Sequence, residues 1–388
     1  MSYTFEGTNM IRLYHFIYSL ILFFSASFLF SSQLEAQYVC TGAVCSYITS
    51  DIQSELDRTA NQIEYSYLPE ILKNNTEATF MNQIVSNSVG VGNVKRFQIG
   101  FGLGIAGVKK DDVVIQTSEV TLPKLPNGGL SINPTVNLDF NVGWLLGMKS
   151  NSIFSRFTVY LHGMDINVSE GDAKGLSAAK ENLRLQGNMK SMGGMIRYQV
   201  LDPVTFGYSL FTWTGLNFGA GYHYSKQNYA IQSQNEKAEE FKLSSFDASW
   251  GGDTTFNYST ETKTYNADIR TGINVFWILT LYGGGGYTWN NGISSIRLQR
   301  NGPFVIKTGG LQDSNIPREY QQYFNQDGSI QQAGTLSLTS SATGNSKRSI
   351  SYGIAGLELD FFLLKLTMEA IYGEKEIYGG SLAVKYSF

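Results

Sequence analysis

The sequence predicts an all-β protein, a closed antiparallel transmembrane β-barrel of about ten strands, with twelve strands as the next alternative. Three observations support this prediction. Glycine contributes 41 of the 388 residues and charged residues only 16%, whereas ordinary soluble domains have about 7% glycine and about 25% charged residues. Ten segments alternate between apolar and polar residues, and the connections between them alternate between long and short. This combination is typical of barrels that cross a bilayer.

The composition also excludes several classes of protein. A helical membrane protein with many spans needs several apolar runs of about 20 residues, which this chain lacks. The 13% aromatic content argues against a disordered chain. A net charge of −3 provides no general electrostatic basis for binding nucleic acid. Two cysteines are too few for a disulfide scaffold or a four-thiolate zinc site.

The first 36 residues have the pattern of a secretory signal peptide. An apolar run at 16–30 follows Arg12 and His15, and Leu34 and Ala36 stand at the −3 and −1 positions of a cleavage site before Gln37. The run is short for a spanning helix, so cleavage is favoured over an uncleaved anchor, with Met10 as an alternative start. The chain therefore divides into a leader (1–36), an N-terminal periplasmic or plug segment (37–94) and the barrel (95–388).

Two cysteines follow the cleavage site closely. A lipid-modified cysteine would need small residues just before it, but Cys40 follows Gln-Tyr-Val. An oxidising compartment instead favours a local disulfide between Cys40 and Cys45, which would close a small loop.

The segment 37–94 is partly helical by its pattern. Ser50 and Gln53 resemble a capping box, and apolar residues then recur at helical spacing as far as Tyr67. The helix is predicted over 50–68, and Pro69 either ends it or restarts it.

From Arg96 onward the hydrophobic pattern has a period of two, which indicates strands with one apolar face. In the first of them, Phe97, Ile99 and Phe101 alternate with Gln98 and Gly100. The ten predicted strands lie within 96–108, 135–146, 153–163, 192–200, 216–224, 265–275, 279–289, 355–359, 364–373 and 378–388.

The connections between these strands alternate in length. The long ones, about 109–134, 167–189, 226–263 and 291–348, are predicted to be solvated polar loops, with 312–334 and 339–349 the most polar stretches. The short ones are at 149–151, 202–210, 276–278, Phe361 and 373–376.

Soluble sandwiches also alternate, with their apolar faces turned inward. Here the polar faces are rich in Gly, Asn and Thr, which suits an enclosed aqueous or hydrogen-bonded lumen. Aromatic residues stand near the ends of the apolar faces, as interfacial girdles require. These residues are Trp144, Tyr224, Tyr265, Trp289, Tyr378 and Phe388.

The chain ends in the alternating sequence LAVKYSF. This ending resembles the carboxy-terminal signal of bacterial outer-membrane β-barrel proteins, and the resemblance covers roughly residues 96–388. The resemblance implies that the protein lies in outer-membrane lipid and that both termini face the periplasm. It also implies that the barrel-assembly machinery recognises the last strand, which ends at Phe388.

The polar faces carry charges of both signs and both histidines of the mature chain. Mixed charges either pair and close the lumen, because an unpaired buried charge is costly, or they bias which solutes pass. The predicted lumen-facing residues are Asp139, Arg156, His162, Arg197, His223, Asp268, Arg270, Glu358, Lys365, Glu369 and Lys385.

No cofactor, metal or catalytic site is predicted. The glycines at 102, 104 and 107 match a dinucleotide-binding pattern, but they lie inside a strand and not at a strand-to-helix turn. The favoured function is a pore or transporter for small solutes without covalent chemistry. The alternative is a surface-exposed structural or adhesive barrel with a closed lumen, whose long loops bind external ligands. A hydrolase that uses His162 or His223 is third.

Overall fold

The computed structural model describes residues 37–42, 45, 50–92, 94–115, 125, 127–168, 183–207, 210–243, 246–307, 334–374 and 376–388. The predicted signal peptide lies outside the described residues. Within those ranges, no helix combines the length and the apolar character needed to cross a membrane.

The N-terminal segment is a short strand followed by a long helical stretch. Strand β1 spans Gln37–Thr41, helix α1 Ser50–Gln62, a π-helical turn Ile63–Tyr67, and helix α2 Leu68–Val85. Pro69 restarts the helix rather than ending it, because in the first turn its missing N–H costs no hydrogen bond. The helical stretch therefore runs well beyond the predicted 50–68.

Ten strands form a closed ring, as predicted. Their order is β2-β3-β4-β5-β7-β8-β9-β10-β11-β12, and β12 pairs with β2 to complete the circle. Strand β1 adds to the edge of β10, and the short β6 pairs with β7. The bounds are β2 Phe97–Lys109, β3 Gly128–Asn141, β4 Phe157–Val168, β5 Leu183–Leu201, β6 Val204–Phe206, β7 Phe211–Leu243, β8 Phe246–Val275, β9 Leu279–Lys307, β10 Gly334–Phe361, β11 Leu364–Gly373 and β12 Ile377–Ser387.

The apolar faces point outward and the polar faces inward. Phe101 is 70% exposed and Leu382 46%, whereas Asn137 and Thr264 are fully buried. A soluble sandwich would show the reverse, so the fold is a transmembrane-type barrel. Exposed aromatic side chains border the apolar zone at both ends, including Trp277 and Phe388 at one end and Tyr265 and Trp289 at the other.

Two predicted loops are instead strands. Strands β7 to β10 have 33, 30, 29 and 28 residues, so they include nearly all of 226–263 and much of 291–348. The polar stretch 339–349 lies inside β10. A tilted strand needs only about 9–11 residues to cross a bilayer. In the extensions beyond this length most side chains are polar, and the few apolar ones, such as Tyr258, Ile296 and Leu338, face the plug, which explains why alternation alone missed these strands.

The connection between β3 and β4 is also longer than predicted. Strand β3 ends at Asn141, Val142–Leu145 form the short helix α3, and Ile153–Arg156 form a 3₁₀ turn. The Asn141 side chain accepts a hydrogen bond from the backbone N–H of Trp144, which caps α3 and ends the strand.

The two described ends of the chain lie at opposite ends of the barrel. Gln37 pairs with Thr339, near the start of β10, at the end where the long hairpins project. Phe388 donates its backbone N–H to the carbonyl of Phe97, at the other end, where the turns after β8 and β10 lie. We call these the long-hairpin end and the short-turn end. The N-terminal segment therefore passes through the lumen between β1 and β2. The compartment that each terminus faces stays a prediction.

Candidate functional site in the barrel lumen

Helix α2 and the residues that follow it occupy the barrel lumen. The helix contacts β2, β3 and every strand from β7 to β12. All described residues from Thr76 to Gly92 are buried, whichever way they point. A helix on a protein surface would keep one polar face in water, so burial on all sides means that the barrel wall surrounds it. We call residues 50–92 the plug.

The half of the plug nearer the long-hairpin end packs through apolar side chains. Leu68, Ile71 and Leu72 join a buried cluster with Tyr258 and Ile296 of the wall. About two helical turns further on, a second cluster includes Phe80, Met81, Ile84 and Val85 from the plug and Ile350, Ile354, Ile371 and Ile377 from the wall.

Buried polar side chains of the plug bond to matching groups on the wall. The Asn82 amide donates to Ser131 Oγ at 3.0 Å, and the Gln83 amide donates to Thr262 Oγ1 at 2.9 Å. The Asn74 amide donates to Asn127 Oδ1 at 2.7 Å. Such bonds offset the cost of burying amides away from water.

Eight buried charges lie on the wall near the short-turn end, four positive and four negative. Asp268 pairs with both Arg197 and Arg270, and Arg270 also pairs with Glu369. Lys365 Nζ lies 3.1 Å from Glu358 Oε2, and Lys385 Nζ lies 2.6 Å from Asp139 Oδ2. We call this neutral set the ionic collar; its members are Asp139, Arg197, Asp268, Arg270, Glu358, Lys365, Glu369 and Lys385.

The ionic collar also bonds directly to the plug backbone. Lys385 Nζ donates to the carbonyl of Ser88 at 2.7 Å, and Arg270 Nη1 donates to the carbonyl of Gly90 at 2.8 Å. The backbone N–H of Val91 donates to Glu358 Oε1 at 2.9 Å. Three strands therefore bond to three of the four plug residues from Ser88 to Val91. Charge-assisted bonds of this kind are roughly twice as strong as neutral ones.

The plug backbone at this point requires glycine. Gly90 has φ +70°, and a Cβ built there would lie 1.7 Å from Glu358 Oε1. Gly92 has φ +99°, and its Cβ would lie 2.9 Å from Arg197 Cδ. Both positions combine a left-handed backbone with close approach to the ionic collar.

The two predicted lumen histidines form a buried pair. His162 Nε2 lies 2.9 Å from His223 Nδ1, and His223 Nε2 lies 3.0 Å from Asn266 Oδ1. Among the described residues, no group of three His, Cys, Asp or Glu side chains is arranged to hold a metal ion.

The structure places ten of the eleven predicted lumen residues in buried positions on the inner face, and Arg156 is the exception. Arg156 lies in the 3₁₀ turn before β4, is partly exposed, and pairs with Asp202 at 2.6 Å. Its assignment to the lumen is wrong because the strand alternation begins only at Phe157. Cys40 and Cys45 are joined by a disulfide beside β1.

Sequence reasoning missed the plug residues that contact the ionic collar. One signal was available: no charged residue occurs between Glu77 and Lys95, although Asn, Gln and Ser are frequent there. A helix that is neutral yet rich in amides suits a buried, hydrogen-bonded position better than a solvated one.

Comparison with known proteins bears on the barrel as a whole. No functionally curated protein matches the chain. Similar solved structures include the translocator domain of the autotransporter NalP from Neisseria meningitidis, with 12% identity, a TM-score of 0.33, and coverage of 79% of this chain and 94% of that one. A Pseudomonas aeruginosa FadL homologue has 11% identity, a TM-score of 0.24, and coverage of 81% and 98%.

The attachment invasion locus protein Ail of Yersinia pestis has 9% identity, a TM-score of 0.23, and coverage of 76% and 99%. The Lsa36-like family model matches residues 33–388. Because that match spans the plug and every strand of the barrel, the chain belongs to the Lsa36-like family.

Proposed function

We propose that the protein is an outer-membrane barrel with a closed lumen that displays a long β-sheet at the cell surface. The observation that carries this proposal is the unbroken burial of residues 76–92 within the barrel wall. Of the functions that the sequence suggests, this geometry favours the surface-exposed barrel over the open pore.

The ionic collar supports a closed lumen. Its charges sum to zero, and each carboxylate already has a cationic partner. A pore that selects ions usually presents charges of one sign to water. Here the charges bond to each other and to the plug backbone, so they stabilise the plug in place.

The lengths of β7 to β10 support the display of a sheet. In β10, residues 334–351 precede the pairing with β11, which begins at Tyr352. At about 3.3 Å per residue these residues extend roughly 60 Å along the strand. Outer-membrane barrels keep long connections outside and short turns in the periplasm. The long-hairpin end, with β1, would therefore face outward, and Phe388 would lie on the periplasmic side, where the barrel-assembly machinery would recognise the last strand.

Thiol labelling in intact cells tests the orientation. The sequence has only Cys40 and Cys45, which are disulfide-bonded, so a single added cysteine is the only free thiol. Lys347→Cys on β10 should react with a membrane-impermeant maleimide in intact cells. Asn151→Cys at the short-turn end should react only after the outer membrane is permeabilised. Both residues are exposed, so reversed labelling would contradict the proposal.

Planar bilayers test the closed lumen. The full-length protein should show no sustained conductance, because the plug and the ionic collar fill the barrel. A chain that lacks 50–92 should conduct if its barrel still forms. Sustained currents through the full-length protein would instead support a pore for small solutes.

A further inference from the structure

The outer surface of the barrel wall changes character in a regular order towards the long-hairpin end. Tyr222, Tyr265 and Trp289 are cross-strand partners on β7, β8 and β9, and all three are exposed at the edge of the apolar zone. Four residues further along β7 and β8, Lys226 stands opposite Glu261. The surface therefore passes from aromatic to charged as it leaves the bilayer.

The next row is made of uncharged polar side chains only. It crosses six strands, from β4 to β10, and each member is the register partner of the one before it. We call it the amide–hydroxyl row; its members are Asn167, Asn188, Asn228, Ser259, Ser295 and Thr343. It lies six residues beyond Tyr222, Tyr265 and Trp289, which we call the aromatic girdle. Six residues span roughly 20 Å along the strand. For a strand tilt near 40°, this places the row about 15 Å above the girdle.

This row lines a groove on the outer face of the wall. The groove has a volume of about 670 Å³, and its lining contains no residue of the plug, which lies on the other side of the sheet. Neighbouring side chains in the row bond to each other: Asn188 donates to Asn167, and Ser259 Oγ donates to Asn228 Oδ1 at 2.6 Å. A second line of polar groups also lines the groove, namely Gln186, Asn257, Arg297 and Ser341, and apolar residues such as Val168, Ala230 and Ala342 complete the lining.

The donors and acceptors of this groove match a particular chemistry. Amide and hydroxyl side chains each both donate and accept, which is what the hydroxyl groups of a saccharide require. Arg297 adds a single positive charge, suited to a phosphate or carboxylate substituent. The volume is within the range of pockets that bind small ligands.

We propose that the groove binds the saccharide headgroup of a glycolipid in the surrounding outer leaflet. The groove opens on the outer face of the wall, about 15 Å above the aromatic girdle for a strand tilt near 40°. A lipid whose chains pack against the apolar zone can therefore reach it with an extended saccharide headgroup. Exposed Lys190 and Lys226 lie between the girdle and the groove, at the level of headgroup phosphates. The proposal rests on the outward orientation of the long hairpins, which thiol labelling tests independently.

Binding of lipopolysaccharide by the full-length protein in detergent micelles tests this site. The immobilised protein is titrated with rough-type lipopolysaccharide, with the oligosaccharide released from it by mild acid, and with phosphatidylglycerol. Lipopolysaccharide should bind saturably and more tightly than either of the other two. The double variant Asn188→Ala/Asn228→Ala should weaken that binding at least tenfold.

Controls separate the groove from general effects. Asn301→Ala removes an exposed amide of β9 outside the groove and should leave the affinity within twofold. Ser295→Trp fills the groove without removing an amide. It is the test variant if Asn188→Ala/Asn228→Ala does not show the heat-dependent gel mobility of a folded barrel.

Unchanged affinity in these groove variants would overturn the proposal. Equal binding of the free oligosaccharide would overturn the assignment to a membrane lipid. The assay does not depend on orientation in the cell, so its failure is distinct from failure of the proposed display function.

Discussion

The two halves of the plug contact the barrel wall by different physical means. Near the long-hairpin end, Leu68, Ile71 and Leu72 pack into an apolar cluster with the wall. Near the short-turn end, the wall bonds through Lys385, Arg270 and Glu358 to backbone atoms of the plug. The first contact depends on shape and area, and the second on the position of individual atoms.

The difference indicates separate roles for the two halves. Apolar contact is non-directional, so it favours burial of the helix without setting its exact depth. Hydrogen bonds from buried charges weaken steeply with poor geometry, so they select one register of the plug. We infer that the apolar half supplies most of the burial energy and that the ionic collar fixes where the plug stops.

The largest expected effect comes from breaking the ionic collar. Asp268→Ala leaves Arg197 and Arg270 buried with only Glu369 beside them, and removing one partner of a buried pair typically costs about 3–5 kcal/mol. The free energy of unfolding, from guanidinium titration in micelles followed by tryptophan fluorescence, should fall by that amount.

Arg156→Ala is the matched control, because the side chains of the Arg156–Asp202 pair are 36% and 63% exposed, whereas those of the ionic collar pairs at Asp268 are buried. Such surface pairs contribute about 0–1 kcal/mol. Equal losses in the two variants would show that the ionic collar is not desolvated as the structure indicates.

A somewhat smaller effect is expected in the apolar half. Leu72 is 2% exposed, and Leu72→Ala should lower the free energy of unfolding by about 2–4 kcal/mol through lost transfer energy and a residual cavity. Leu72→Met keeps the volume and should recover most of the loss. A negligible loss for Leu72→Ala would contradict the conclusion that apolar packing in this half of the plug supplies most of the burial energy.

The smallest effect should appear at the glycine that contacts the ionic collar. Gly90→Ala should cost about 1–3 kcal/mol, because the left-handed backbone is strained and the new Cβ displaces Glu358. Gly147 has a similar φ of +64° but no atom within 4 Å of its Cβ position, so Gly147→Ala should cost only about 1 kcal/mol. The same unfolding titration measures both, and equal costs would contradict the proposed contact.

Much of the barrel was predictable because its rule is local. Each ring strand places lipid-facing and lumen-facing residues alternately, so Phe101 and Asn137 could be assigned to their faces without knowing any neighbour. The extended halves of β7 to β10 were not predictable in this way, since both of their faces carry polar residues. Arg156 shows a further limit: alternation cannot locate the residue at which a strand begins.

The contacts inside the lumen could not be predicted from local sequence patterns. The sequence by itself determined a ten-stranded ring, its apolar exterior and its charged interior, because alternation with a period of two records which face meets lipid. Only the tertiary structure decided that the charges pair in a neutral set, that the plug enters from the long-hairpin end, and that six polar side chains align across the outer wall. Those features depend on the register between strands and on contacts between residues as distant as Ser88 and Lys385. The hydrophobic period of a single sequence does not contain information about strand register or about contacts between distant residues.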